Sequence, residues 1–208
     1  MKINKKLLVI TTIIILLPIA VGLIFWDQLP ETMATHWGTE NEPNGWTSKA
    51  FTVFGIPAVI AALHVICLAV TYADPKRSNI GQKAIGIVYW ILPVTALMVM
   101  GATYAYALGM SVNIGMICCL LMGVIFIALG NYLPKARLNY TFGYKIPWTL
   151  NSEENWNRTH RLAGWLMVIC GFVFIINAFI LSEWVLLACF IAAVVPIIYS
   201  YVLYKKGI

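Results

Sequence analysis

Six apolar stretches, each close to the length that crosses a bilayer, decide what this chain can become. They are Leu7–Trp26, Phe51–Ala73, Ala84–Leu108, Ile114–Leu133, Ala163–Leu181 and Trp184–Tyr204, and none holds an Asp, Glu, Lys or Arg in its interior. A hydrocarbon core about 30 Å thick needs roughly 20 apolar residues in a helix that rises about 1.5 Å per residue. Backbone groups in lipid find no outside partner, so a span is a helix or a strand of a closed barrel. Barrel strands alternate apolar and polar residues over about ten positions, and these stretches do not alternate. The expected fold is an all-α integral membrane protein, a bundle of six transmembrane helices forming one polytopic domain over residues 1–208. Composition agrees, with 61% apolar and 11% charged residues against about 45–50% and about 25% in soluble domains.

The first stretch also has features of a secretory leader: Lys2, Lys5 and Lys6 precede it, and Ala20-Val21-Gly22 offers small residues near its end. Its apolar run continues to Trp26, past the roughly 7–15 residues of a leader's apolar part. A retained span is expected.

Basic residues sort to alternate connections. The N-terminal segment, 74–83, 134–162 and the C-terminal segment together hold thirteen of the fourteen Lys and Arg residues. The 27–50 connection holds only Lys49, against Asp27, Glu31, Glu40 and Glu42. Excess Lys and Arg mark cytoplasmic loops, so both termini are expected inside and the 27–50 loop outside. The net charge of +6 is thereby spent on membrane orientation. No soluble module remains to carry a nucleic-acid site, and no direct nucleic-acid contact is expected.

Within the spans, Gly101, Ala105 and Gly109 repeat every four residues, a spacing that lets a neighbouring helix approach closely. Pro57 and Pro93 remove backbone donors and are candidate kinks. Trp26, Trp46, Trp148, Trp165 and Trp184 lie near span ends, where aromatic belts form. All five cysteines fall inside apolar runs, where they serve as small packing residues rather than disulfides. His64 is a titratable group in the second span; it reads either as a functional group or as a neutral histidine bonded to a neighbouring helix.

Two hydrophilic segments are long enough to have structure of their own. In the outer loop, His36, Trp37, Glu40, Glu42 and Trp46 are candidate recognition residues for an external partner, because exposed Trp and a negative field suit a cationic or amphipathic ligand. The alternatives are a solvated connector whose tryptophans rest on headgroups, and a metal site from Asp27, His36, Glu40 and Glu42. No pair has a known ligand spacing, so no metal is expected. Glu42-Pro43-Asn44-Gly45 reads as a tight turn. In the inner segment, Asn151 and Glu154 resemble a capping box that starts a helix running from Ser152 into the fifth span. Arg137, Lys145, Arg158 and Arg161 suit either anionic lipid headgroups or a specific partner.

The inner segment resembles a known family. Asn131-Tyr-Leu-Pro134-Lys, Asn139-Tyr-Thr-Phe-Gly143, Pro147-Trp148-Thr149-Leu150 and Trp156-Asn-Arg158-Thr159-His160-Arg161 are similar, in order and spacing, to the signature of the SdpI family of bacterial membrane immunity proteins. Leu29-Pro30, His36-Trp37 and Pro43-Asn44-Gly45-Trp46 resemble the small domain of unknown function that precedes that signature; Met33 departs from it, since many relatives have proline there.

The resemblance implies a protein of the bacterial cell membrane that protects against a secreted, membrane-active peptide toxin. In some members it further implies a receptor that holds a small winged-helix repressor at the membrane. The signature residues Asn139, Gly143, Pro147, Trp148, Thr149, Trp156, Arg158, Thr159, His160 and Arg161 are then candidates for that inner face. A small transporter or channel-like protein is the alternative, using His64 and the kinked spans. An enzyme is not expected and no cofactor is called for, because no Ser/His/Asp set, carboxylate pair or metal motif can be assembled.

Overall fold

The computed structural model describes residues 3–38 and 40–208. Met1, Lys2 and Thr39 lie outside the described residues, Lys2 of the basic N-terminal segment among them. In chain order the elements are α1 (Lys5–Ile24), β1 (Thr32–Trp37), β2 (Pro43–Ser48), a π-helical turn (Phe51–Gly55) leading into α2 (Ile56–Ala73), α3 (Gln82–Ala107), α4 (Ile114–Tyr132), the short α5 (Pro147–Leu150), α6 (Glu153–Ile180) and α7 (Val185–Lys205). Among the described residues six helices, all of these but α5, are long and apolar enough to cross a membrane. Chain contacts divide the described residues into two compact units, one of residues 3–68 with 88–121 and the other of residues 69–87 with 122–208.

In the first unit, Asn4 caps α1 by accepting the Leu7 N–H at 3.0 Å. Near the far end of α1, glycine is required by close approach. A Cβ on Gly22 would lie 2.6 Å from Val53 and 2.7 Å from the Tyr104 hydroxyl, which itself donates to the Pro18 carbonyl at 3.0 Å. Leu29, Met33, Val53, Met100 and Tyr104 form the buried apolar cluster around this point.

The 27–50 loop is an antiparallel hairpin rather than an irregular connector, so the chain is not purely α. The expected turn at Glu42–Gly45 is also displaced. Pro43, Asn44 and Gly45 lie in β2, and the chain reverses between Gly38 and Glu42 with Asn41 in the left-handed region at φ 62°. Asparagine tolerates that conformation better than most side chains. Pro43 sits at the first strand position, where its missing N–H costs no ladder bond.

In the second unit, α4 and α6 touch backbone to backbone. A Cβ on Gly123 would lie 2.8 Å from the Gly171 carbonyl, and one on Gly130 2.7 Å from the Gly164 carbonyl. The small-residue contact expected at Gly101 and Gly109 is not made there. Gly101 is exposed, and nothing approaches within 4 Å of a Cβ built on either glycine. Ser152, not Asn151, caps α6 by accepting the Asn155 N–H at 3.2 Å. The helix then runs unbroken for 28 residues, about 42 Å at 1.5 Å per residue. That exceeds a hydrocarbon core of about 30 Å, so part of it must stand in the headgroup region or beyond.

Candidate functional site

The hairpin is fastened at its root and open at its face. Lys49, the lone basic residue of the segment, is buried, pairs with Glu31 at 2.9 Å and donates to the Trp26 carbonyl at 3.2 Å. Its ammonium also lies 5.1 Å from the Trp26 ring centre. Thr47 and Thr52 join hydroxyls at 2.7 Å across the start of the next helix. With Lys49 neutralised locally, Asp27, Glu40 and Glu42 are the acids left exposed, and none has an ion-pair partner among the described residues.

Asn41 fixes the tip. Its side-chain oxygen accepts the Ile114 N–H at 2.8 Å, and its amide donates to the Val112 carbonyl at 3.1 Å, so the turn caps the start of α4. Orphan N–H groups at a helix start need such acceptors. Sequence reasoning missed Asn41, because its bonds are made to residues about seventy positions away.

The five outer candidates separate. His36 and Asn44 bond side chain to side chain across the strands. Trp37 packs edge-on against Tyr106, ring centres 5.6 Å apart. His36 and Trp37 line a cavity of about 310 Å³ closed by Val99, Thr103, Ile114 and Leu121. The Trp37 indole N–H, although buried, has no acceptor. Glu42 borders a neighbouring depression beside Asn41 and Tyr106, and Glu40 is exposed. Trp46 lines neither of these cavities; 56% of it is exposed. Among the described residues no three His, Cys, Asp or Glu side chains come together as a metal site.

The signature segment is a bonded framework. Asn139 is fully buried; its oxygen accepts the Thr141 and Phe142 N–H groups at 3.0 and 2.7 Å, and its amide donates to the Arg137 carbonyl at 2.8 Å. Asp74, counted in the sequence only as a connection residue, receives the Thr141 hydroxyl at 2.7 Å and the Tyr140 and Lys76 N–H groups at 2.8 and 2.7 Å. Burial pushes its carboxyl up, but these hydrogen bonds together outweigh burial and hold it below the usual carboxylate range. Asn79 donates to the Leu138 carbonyl at 2.7 Å.

On α6, the Trp156 indole donates to the Ala136 carbonyl at 2.8 Å, and its ring stacks on His160 with centres 3.8 Å apart. His160 Nε2 accepts the Tyr144 N–H at 2.9 Å, and Nδ1 lies 2.7 Å from the Trp156 carbonyl. A carbonyl only accepts, so Nδ1 carries the hydrogen and the ring is the neutral tautomer. The Tyr144 hydroxyl donates to the Ala192 carbonyl at 2.8 Å, and burial raises its pKa. Thr149 bonds the Tyr144 and Ile146 carbonyls. Asn155 ties the segment to α7: it donates to the Ser200 carbonyl at 3.0 Å and accepts the Ser200 and Thr159 hydroxyls at 2.6 and 3.1 Å.

Asn139, Thr149, Trp156, Thr159 and His160 are therefore spent inside the fold, with Gly143 placed to make room for the His160 ring. Pro147, Arg158 and Arg161 are exposed. Arg158 pairs with Glu154 one turn away. Trp148 is half-buried, stacked on Tyr204 at 6.1 Å with its indole N–H lacking an acceptor. His64 is fully buried, its Nε2 2.8 Å from the Thr11 hydroxyl on α1.

Six membrane-length helices, a hairpin after the first and a hydrogen-bonded segment before the fifth define a multi-pass membrane protein. The SdpI/YfhL protein family matches residues 135–200, and the domain of unknown function DUF1648 matches residues 13–61. Over 206 residues the chain is 29% identical to the immunity protein SdpI of Bacillus subtilis (strain 168), covering 95% of this chain and 96% of that protein. These matches make the chain similar to the SdpI/YfhL family over its signature segment, and the six apolar helices make it a multi-pass protein of the bacterial membrane. No solved structure matches it.

Proposed function

We propose that this chain is a membrane immunity protein that protects the producing cell against a secreted, membrane-active peptide met at the hairpin. The carrying observation is the hairpin's build. It is rooted by the buried Lys49, paired to the exposed Glu31, and by the Asn41 cap, while it presents Trp46 and the acids Asp27, Glu40 and Glu42, which have no ion-pair partner among the described residues. The end-to-end similarity to an immunity protein supports the same reading. In this reading both termini lie in the cytoplasm and the hairpin lies outside. The acids speed encounter with a cationic peptide, and aromatic contacts hold it. The cavity beside His36 and Trp37, with its acceptorless indole N–H, suits an apolar side chain followed by a backbone carbonyl.

On the inner face, the surface left by the framework is Pro147, Trp148, Arg158 and Arg161. A small winged-helix repressor held at the membrane would dock there. The test is survival. A sensitive bacterium producing this chain is challenged with peptide secreted by the native strain, and survival should rise at least tenfold over cells lacking it. Equal killing, with the chain present in the membrane, contradicts immunity and favours a transporter.

A further inference from the structure

We propose that the groove between the end of α4 and the first turns of α6 binds the phosphate-bearing headgroup of an anionic phospholipid. The groove encloses about 490 Å³ and is walled by Asn131, Lys135, Asn157 and Arg161. Its floor is Gly130 and Gly164, where the two helix backbones touch, with Pro134 against Gly164. Two cations and two amides therefore surround an open volume, and no acid lines it.

The two cations are available. Among the described residues the ion pairs are Lys49 with Glu31 and Arg158 with Glu154, so neither Lys135 nor Arg161 has an acidic partner. Lys135 leans on the Asn131 side chain at 3.3 Å and on the Tyr132 ring at 4.8 Å, which keeps its ammonium beside the groove. A guanidinium presents parallel N–H donors that fit two phosphate oxygens, and amide N–H groups serve the remaining lone pairs.

Position selects a lipid as the occupant. Trp165 borders the groove one turn beyond Arg161 and is 66% exposed. Ile169 and Phe172 continue an exposed apolar face along α6. A headgroup in the groove would lay its acyl chains along that face, with Trp165 at the boundary where indoles concentrate. Basic pockets between spans at a membrane surface recognise anionic headgroups in this way. A zwitterionic headgroup brings its own ammonium to two cations and is disfavoured.

The test uses the full chain in phosphatidylcholine nanodiscs doped with phosphatidylglycerol, with bound lipid read by native mass spectrometry. Each basic residue near a surface contributes a factor of about five. The wild type should retain phosphatidylglycerol over phosphatidylcholine by about 25-fold, one such factor for each of the two cations. Arg161→Gln and Lys135→Gln should each lower retention about fivefold, and the double variant should show no preference. Arg161→Lys, which keeps the charge but loses the paired donors, should retain more lipid than Arg161→Gln and less than the wild type, which separates lost charge from lost fold. Arg158→Gln, one turn away but paired to Glu154, should leave lipid retention unchanged. The proposal is overturned by no preference in the wild type, by an Arg158→Gln loss equal to that of Arg161→Gln, or by acyl-free glycerol phosphate held as firmly as the lipid. Retention unchanged in both groove variants also overturns it and leaves the groove to a protein partner.

Discussion

Gly143 and His160 are two positions whose side chains, or lack of one, leave no room for substitution. Gly143 has φ 120°, a region closed to other residues, and a Cβ there would collide with the His160 ring that accepts the Tyr144 N–H. Backbone strain of this kind costs about 1–3 kcal/mol, and displacing the ring removes a buried hydrogen bond worth about 1–3 kcal/mol more. Gly143→Ala should therefore destabilise the detergent-solubilised chain by about 2–6 kcal/mol. A thermal melt followed by circular dichroism measures this, and an unchanged midpoint would refute the constraint. The two hairpin tryptophans separate recognition from folding. Trp46 is 56% exposed, so Trp46→Ala should lower protection while leaving the melt unchanged. Trp37 rests against Tyr106, so Trp37→Ala should lower both.

At the scale of elements, the Asp74 carboxylate ties the end of α2 to the signature segment through Thr141 and Tyr140. Its folded pKa lies below the unfolded value, so its stabilising effect is fully present above the unfolded carboxylate pKa. The effect is lost as pH falls through the lowered folded pKa. Melting points measured from neutral pH into the acid range should fall, and Asp74→Asn should melt lower at neutral pH and show a flatter acid decline. An identical profile for both chains would remove Asp74 from the framework. The spans were legible in the sequence because crossing a bilayer is set by length and polarity along one dimension. The hairpin was not. β1 buries the adjacent residues Met33 and Ala34 instead of alternating, the register shifts around His36, and Pro43-Asn44-Gly45 carries the composition of a turn. Small-residue spacing likewise names no partner: Gly101 and Gly109 meet open space, whereas Gly123, Gly130, Gly164 and Gly171 carry the backbone contact. The signature residues were legible as a group, but their roles depend on Asp74, Asn79 and Ser200, which lie far away in sequence.

For the whole molecule, orientation and protection remain joined, since the hairpin can meet a secreted peptide only from outside. Reporter fusions after Gly45 and after Ser152 should report opposite faces, outside and cytoplasmic respectively; the same face for both would undo the assignment of each loop. The central claim is that the acidic, tryptophan-bearing hairpin intercepts the peptide before it damages the bilayer. A potential-sensitive dye in sensitive cells producing the chain reads that event directly. Cells with the wild-type chain should hold their potential when the peptide is added. Trp46→Ala should depolarise more than Glu40→Gln, and the Glu40→Gln defect should fade as salt rises, because exposed charges are screened over about 8 Å at physiological ionic strength. Depolarisation as fast with the membrane-inserted chain as without it, for every peptide the native strain secretes, would contradict the account.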